Sequence, residues 1–362
     1  MRLMLVGVVA AIVLGGGSAK ADFTFGEPTN LGPTVNSSSD EGSPSISADS
    51  LEIFFDSSGT GSGGYDLWVS TRQTSERIPE GYWGTPINLE PPINTPFYDH
   101  HPSISLDGLT LYFTSDRPGG GYGDRDLWAT TRSATGEPWS EPVNLGPTVN
   151  SSSRESAPSI SADGLELFFT SNRSGGQGDV DIWVTTRATT SNPWAEPVNL
   201  GQGLNSSSKD GAPDISADGL MLFFNSQKSG TYGSSDIWFS KRATVKDDWD
   251  MPAHLGPPVN TTARDSGPSV SADGSILYFH SDRAGGLGVD LWQVSIIPIV
   301  DLNADGIVDS ADMCIMVDYW GTDEPLCDIG PMPWGDGIVD VEDLIVLAEH
   351  LFEEVPPVES VR

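Results

Sequence analysis

The chain has 362 residues, enough for about two domains at ~150 residues each. With 18 Lys+Arg against 51 Asp+Glu the formal charge is −33, which excludes a nucleic-acid binder and argues against adsorption to an acidic membrane. Gly (41) and Pro (27) sit beside 11 Trp and 13 Phe, the mix of a turn-rich folded all-β protein, and 2 Cys exclude a disulfide scaffold or a cysteine zinc cluster.

Residues 1–21 read MRLMLVGVVAAIVLGGGSAKA. Arg2 gives a positive start, Leu3 to Leu14 an apolar run, and Ala19-Lys20-Ala21 a small-x-small cleavage site before Asp22. This predicts a secretory signal peptide; the competing reading is an uncleaved anchor. No later stretch is long and apolar enough to span a bilayer. The mature chain is therefore expected outside the cell or at its surface.

From there one unit repeats five times. A strand starts at Pro44, Pro102, Pro158, Pro213 and Pro268, with spacings of 58, 56, 55 and 55. Five residues after each Pro comes an Asp (Asp49, Asp107, Asp163, Asp218, Asp273), followed by Gly in four copies and by Ser50 in the first. Asp-Gly between alternating apolar runs predicts a hairpin. An aromatic run, a Gly-rich turn, Asp-(Leu/Ile)-Trp at Asp66, Asp126, Asp181, Asp236 and Asp290, and a Trp-x-x-Pro-x-x-Leu run at Trp83, Trp139, Trp194 and Trp249 complete the unit. Four strands per unit cannot bury both faces alone, so the copies must stack around an axis. The last unit lacks its fourth strand, and Phe25 to Leu31 aligns with Trp139 to Leu145, so the N-terminus should complete it. The prediction is an all-β, five-bladed β-propeller over 22–298, with a six-bladed ring holding one degenerate blade as the alternative.

Pro-Ser-Ile-Ser-x-Asp-Gly, then Phe-Thr-Ser-Asp-Arg-x-Gly-Gly, then Asp-Leu-Trp resembles the WD-like propeller repeat of the TolB C-terminal domain and of many exported bacterial proteins. The resemblance implies a propeller but no single activity. The TolB domain has six such blades, so five is a departure.

Three positions recur in every unit. They are an Asn (Asn36, Asn94, Asn150, Asn205, Asn260), a carboxylate three residues before the Pro (Glu41, Asp99, Glu155, Asp210, Asp265), and the Asp before Leu/Ile-Trp. The carboxylates precede the innermost strand, where an acidic ring at one channel mouth could hold Ca²⁺ or sugar hydroxyls. The other reading is a repeated backbone-bonding job in turns. Arg117, Arg173, Lys228 and Arg283 are expected to pair with nearby carboxylates. Symmetry breaks at His100-His101, a candidate for metal or proton chemistry, although strand neighbours point to opposite faces and a surface position is expected. Five-bladed glycosidases resemble this architecture, and a hydrolase would draw on Glu41, Asp99, Glu155 and Asp210; their near-identical contexts give no acid-base asymmetry.

After Pro298 the sequence changes character. Asp301, Asn303, Asp305, Ile307 (through its carbonyl), Asp309 and Asp312 fall at positions 1, 3, 5, 7, 9 and 12 of a calcium loop, with Gly306 at 6 and the Ile307 side chain expected to pack inward. A helix is predicted from Ala311 to Tyr319. A partial second copy supplies Asp336, Asp340 and Asp343, then a helix from Leu344 to Phe352, with Asp328 as first ligand if the insertion loops out. Residues 299–354 resemble a small α-helical type I dockerin, which implies Ca²⁺-dependent folding and a cohesin-like partner; 355–362 form a tail. The recognition pairs Ser310-Ala311 and Val341-Glu342 do not repeat, a departure from dual-mode binding. Cys314 and Cys327 could bridge the two halves in an oxidising setting. The composite expectation is a secreted, non-catalytic propeller that binds polysaccharide or a protein, docked by a calcium-dependent tail. A glycoside hydrolase or lyase, or a pure protein-interaction scaffold, are the alternatives.

Overall fold

The structure, a computed structural model, describes residues 23–59, 61, 63–73, 83–119, 122–298, 300, 302, 307–322, 327–330 and 338–352. The expected signal peptide at 1–21, residues 74–82, the candidate ligands Asp301, Asn303, Asp305 and Asp336, and the expected tail at 355–362 lie outside the described residues.

Five antiparallel sheets form the propeller. The first blade comprises Glu41–Ile46, Glu52–Ser57, Asp66–Thr71 and Ile87–Asn88. The second repeats this as Asp99–Ile104, Thr110–Ser115, Asp126–Thr131 and Val143–Asn144, and the third as Glu155–Ile160, Glu166–Ser171, Asp181–Thr186 and Val198–Asn199. The fourth is Asp210–Ile215, Met221–Ser226, Asp236–Lys241 and Ala253–His254. The fifth has Asp265–Val270, Ile276–Ser281 and Asp290–Pro298. Its fourth strand comes from the other end of the chain, with Thr29 opposite Gln293, Asn30 opposite Trp292, and Phe23–Phe25 running on against Ile296 to Pro298. The ring closes with five blades, and the six-bladed alternative falls. Phe23 is buried and its ring lies 5.4 Å from Phe239 of the fourth blade, so closure also fills a core position.

The alternating aromatic strands explain the stacking. In Glu52–Ser57 one face carries Phe54 and the other Ile53 and Phe55, and all three are buried. Phe54 joins Leu111, Phe113 and Trp128 of the second blade, while Ile53 and Phe55 join Tyr278 and Leu291 of the fifth. Each blade thus buries both faces only against its neighbours. The Asp-Gly hairpins place Gly108, Gly164, Gly219 and Gly274 at positive φ, and Ser50 holds φ 57° in the copy that lacks Gly.

Each innermost strand carries a bulge, seen as a register shift between Gly42 and Ser45, His100 and Ser103, and their equivalents. The bulge residue has positive φ in every blade: Ser43 (49°), His101 (52°), Ala157 (49°), Ala212 (45°) and Gly267 (58°). Beyond it, a closed ring of bonds joins neighbours: the backbone N–H groups of Ile46, Ile104, Ile160, Ile215 and Val270 donate to Ser269, Ser45, Ser103, Ser159 and Asp214. Asp214 alone breaks the serine pattern.

The C-terminal segment has its own apolar cluster, which includes Val300, Val308, Met316, Cys327, Val339 and Leu347. Its helices span Ser310–Asp318 and Val341–Glu349. The second starts three residues earlier than predicted because Asp340 caps it, with Asp343 closing the capping box. Ile307 is 46 % exposed and Val308 fully buried, so the inward-packing residue is the one after the expected Ile307. Cys314 is exposed, Cys327 is buried, and the two are not bridged. No helix among the described residues is long and apolar enough to cross a membrane.

Candidate binding site at the channel mouth

The five recurring carboxylates sit where the first strand of each blade begins, and each is buried. Asp99 accepts the Thr95 N–H (2.7 Å) and hydroxyl (2.6 Å), the Ser115 hydroxyl (2.6 Å) and the Arg117 guanidinium (2.6 Å). Glu155 with Ser151, Ser171 and Arg173, and Asp265 with Thr261, Ser281 and Arg283, repeat this set. Glu41 receives Ser37 and Ser57, and Asp210 receives Ser206 and Ser226. Burial raises the Glu41 carboxyl pKa against these bonds, and burial lowers the Lys228 ammonium to about 8 although Asp210 favours its charge. The carboxylate oxygens are turned into loops of their own blades.

The other two recurring positions are likewise structural. Asn94 brackets the Leu67 backbone, accepting its N–H (2.8 Å) and donating to its carbonyl (2.9 Å), and Asn36 does the same for Leu291 across the closure. Asp126 accepts the N–H groups of Tyr122 and Gly123 and so ties the Gly-rich turn.

A cavity of about 430 Å³ opens at this end of the channel. Glu41 and Asp210 reach its wall, but the residues that charge it lie one position upstream of each carboxylate or of the Asp-(Leu/Ile)-Trp motif. They are Arg154, Lys209 and Arg264, exposed, and Arg125, half-buried. Parallel bridges set Arg125 beside Arg154 and Ser235 beside Arg264. None of the four has a carboxylate within salt-bridge distance among the described residues. Burial lowers the Arg154 pKa, and the charge of Arg125 adds to this. Where a ring of carboxylates alone was expected, the wall carries these four cations beside Asp40, Glu41, Asp56 and Asp210, and Glu41 and Asp210 are already bonded by serines of their loops. On the remaining side Tyr65 and Tyr98 stack at 6.1 Å and 28°, and Arg125 lies 5.4 Å from the Tyr98 ring. Asp40 completes the rim.

Deeper in the cavity the repeat is also broken. His100 is 5 % exposed, not a surface residue, and its ring lies 4.3 Å from that of His101. Strand alternation should have separated them; the bulge at His101 turns both to one side. Asp56, which the sequence reading did not single out, accepts the His101 N–H at 2.9 Å. Burial raises Asp56 to about 6 and lowers His101 to about 3, with Arg154, Arg125 and Arg264 adding to the latter; burial likewise pushes His100 and His280 well below the usual imidazole range. The signal for Asp56 was available, since its siblings are Thr114, Thr170, Asn225 and His280.

In the C-terminal segment the described candidate ligands are Ile307, Asp309, Asp312, Asp328, Asp340 and Asp343. Asp309 and Asp312 share one helix N-terminus, joined by the Asp309 N–H donating to Asp312 at 2.8 Å. Such an all-oxygen set suits Ca²⁺. Asp343 accepts the N–H groups of Ile329 (2.6 Å) and Gly330 (2.7 Å) on one oxygen and of Asp340 (2.6 Å) on the other. The chain just after Asp328 is thus drawn onto Asp343, which brings Asp328 near the second helix start, as a role as first ligand requires.

No protein-family model matches the chain, and no curated relative matches it. Among solved structures it is similar to a putative TolB from Agrobacterium tumefaciens, at 15 % identity and TM-score 0.45, covering 76 % of this chain and 86 % of that one. It is similar to the α-L-arabinofuranosidase PaAbf62A from Podospora anserina, at 13 % identity and TM-score 0.50, covering 76 % and 98 %. An α-L-arabinofuranosidase from Lactobacillus brevis matches at 13 % identity and TM-score 0.48, covering 74 % and 92 %. Likeness at this level of identity establishes the propeller fold alone.

Proposed function

We propose that this is an exported binding module whose propeller takes a saccharide bearing carboxylate groups, and whose C-terminal segment is a calcium-dependent docking tail. One observation carries the first half. Four cationic side chains with no carboxylate at salt-bridge distance among the described residues, drawn from a chain of net charge −33, line a cavity that also offers a stacked tyrosine pair. Aromatic faces suit sugar rings and guanidinium groups suit carboxylates, by paired N–H donation. A hydrolase or lyase built on Glu41, Asp99, Glu155 and Asp210 has less support, because their oxygens already accept bonds from Ser, Thr and Arg of the same blade. For the tail, Asp309 and Asp312 with Asp301, Asn303, Asp305 and the Ile307 carbonyl would hold Ca²⁺, which would order the helix start; a cohesin-like protein is the partner class.

The test is calorimetry with an oligosaccharide of uronic acids and with its carboxyl-reduced, neutral counterpart. The acidic ligand should bind, weaken as salt rises, and lose about 1 kcal/mol or more in Arg154→Ala and Arg264→Ala. Equal binding of the neutral ligand, or none of either, refutes the reading. Release of shortened or unsaturated products would favour the enzymatic alternative.

A further inference from the structure

We propose that Asp56, His100 and His101 form a site for a divalent transition metal, of which zinc is the type, at the bottom of the channel mouth. One donor atom from each residue lies within 4.8 Å of the other two. Nε2 of His100 and Nδ1 of His101 are buried and have no hydrogen-bond partner among the described residues. Two buried imidazole nitrogens left unbonded in a cluster with one carboxylate are costly unless something accepts their lone pairs, and a cation does. Zinc bound at about 2.0–2.1 Å from each ligand would bring the donors to roughly 3.4 Å apart, so modest side-chain rotation completes the site.

The fold does not need these residues. At the equivalent seams Thr114 accepts the Ala157 N–H and Thr170 accepts the Ala212 N–H, both at 3.0 Å, so a hydroxyl does the bonding that Asp56 does. Positions 100 and 101 are filled elsewhere by Ser156 and Ala157, or by Gly211 and Ala212. Among the described residues, only the seam between the first and second blades brings three candidate ligands together. His280 is not a fourth: its Nδ1 accepts the Ser43 N–H at 3.0 Å, which leaves its proton on Nε2. His101 lines both the mouth cavity and the constriction beneath it, so the open side of the metal faces the mouth. Arg125, Arg154 and Arg264 oppose a bare dication there, so the metal is taken together with an anion at its open position.

The inference does not rest on the saccharide reading, because its test uses metal alone. The full chain, held in excess Ca²⁺ to occupy oxygen-donor loops, is dialysed against Zn²⁺ and its bound zinc counted by mass spectrometry. Wild type should retain one zinc per chain. The variant Asp56→Thr/His100→Ser/His101→Ala, which copies the second-to-third blade seam, should keep its strand circular dichroism and lose at least about tenfold in zinc affinity. No retained zinc in wild type, or equal retention in the folded variant, overturns the proposal. If the variant does not fold, Co²⁺-loaded wild type is examined by X-ray absorption: two imidazole ligands support the site, and an all-oxygen shell overturns it.

Discussion

Asp56 takes the backbone N–H of His101 at 2.9 Å, a bond that stitches the second strand of one blade to the bulge of the next. The bond recurs at other seams with a different acceptor, the Thr114 or Thr170 hydroxyl or Nδ1 of His280. What the fold requires is an acceptor, not a charge. At about pH 4, where burial keeps Asp56 protonated, Asp56→Thr should therefore leave urea stability within about 1 kcal/mol of wild type, whereas Asp56→Val, which orphans the N–H, should cost about 1–3 kcal/mol. Equal effects of the two substitutions would refute an acceptor role.

A buried carboxylate beside a buried guanidinium makes a sharper demand. Arg117 serves Asp99 and also donates to the backbone carbonyls of Ile93 and Pro92. Arg117→Met strands a charge inside the second blade and should cost about 3–5 kcal/mol in chemical denaturation. In the fourth blade Lys228 occupies the same place beside Asp210, but burial already lowers its pKa to about 8, and its amine also sits 3.7 Å from the Trp238 ring. Lys228→Met should cost distinctly less. A reversed order of the two would break the proposed equivalence of charge and carboxylate across blades.

The sequence carried the fold almost completely, because five copies of Pro-Ser-Ile-Ser-x-Asp-Gly and Asp-(Leu/Ile)-Trp record a structural job done five times. The same regularity does not mark a site. Glu41, Asp99, Glu155, Asp210 and Asp265 recur because every blade needs its loop tied, and repetition points to architecture. The charged mouth lies in the position just before them, where Asp40, Tyr98, Arg154, Lys209 and Arg264 do not repeat and so make no pattern. His100 and His101 were visible as a break in symmetry. Their convergence was not, because a bulge with φ 52° at His101 overrides the alternation of an ideal strand.

The calcium reading of the tail has a direct consequence. Asp309 and Asp312, like Asp340 and Asp343, bring two carboxylates to the start of a nine-residue helix. Their mutual repulsion is relieved if a cation lies between them and the upstream loop. Chelation should melt Ser310–Asp318 and Val341–Glu349, seen as lost helical circular dichroism and loss of amide-exchange protection, while the five sheets persist. Unchanged protection on chelation would remove calcium from the account.

Asp214 offers a test by pH. It replaces a serine in the ring of inter-blade bonds and accepts the Val270 N–H at 2.8 Å, but burial raises its pKa from 3.8 to about 7. A raised folded value means that the native state keeps a proton that the unfolded chain releases. The stabilisation is then fully present below about pH 4, falls as pH rises towards 7, and is gone above that. Asp56, raised to about 6, acts in the same sense. The buried histidines His100, His101 and His280 act oppositely, since the unfolded chain takes up protons that the fold excludes, and stability falls with falling pH near the ordinary imidazole value. The whole-protein profile therefore mixes signs, and the difference between wild type and Asp214→Ser isolates one of them. Serine supplies the same acceptor without a charge, as Ser45, Ser103, Ser159 and Ser269 do for their neighbours. The variant should be more stable than wild type at pH 8 by about 2 kcal/mol, discounted for channel water, and should lose that advantage by about pH 4. A stability difference that stays constant across this range would mean that Asp214 is charged in the fold at every pH tested, and the channel would be wetter than its packing implies.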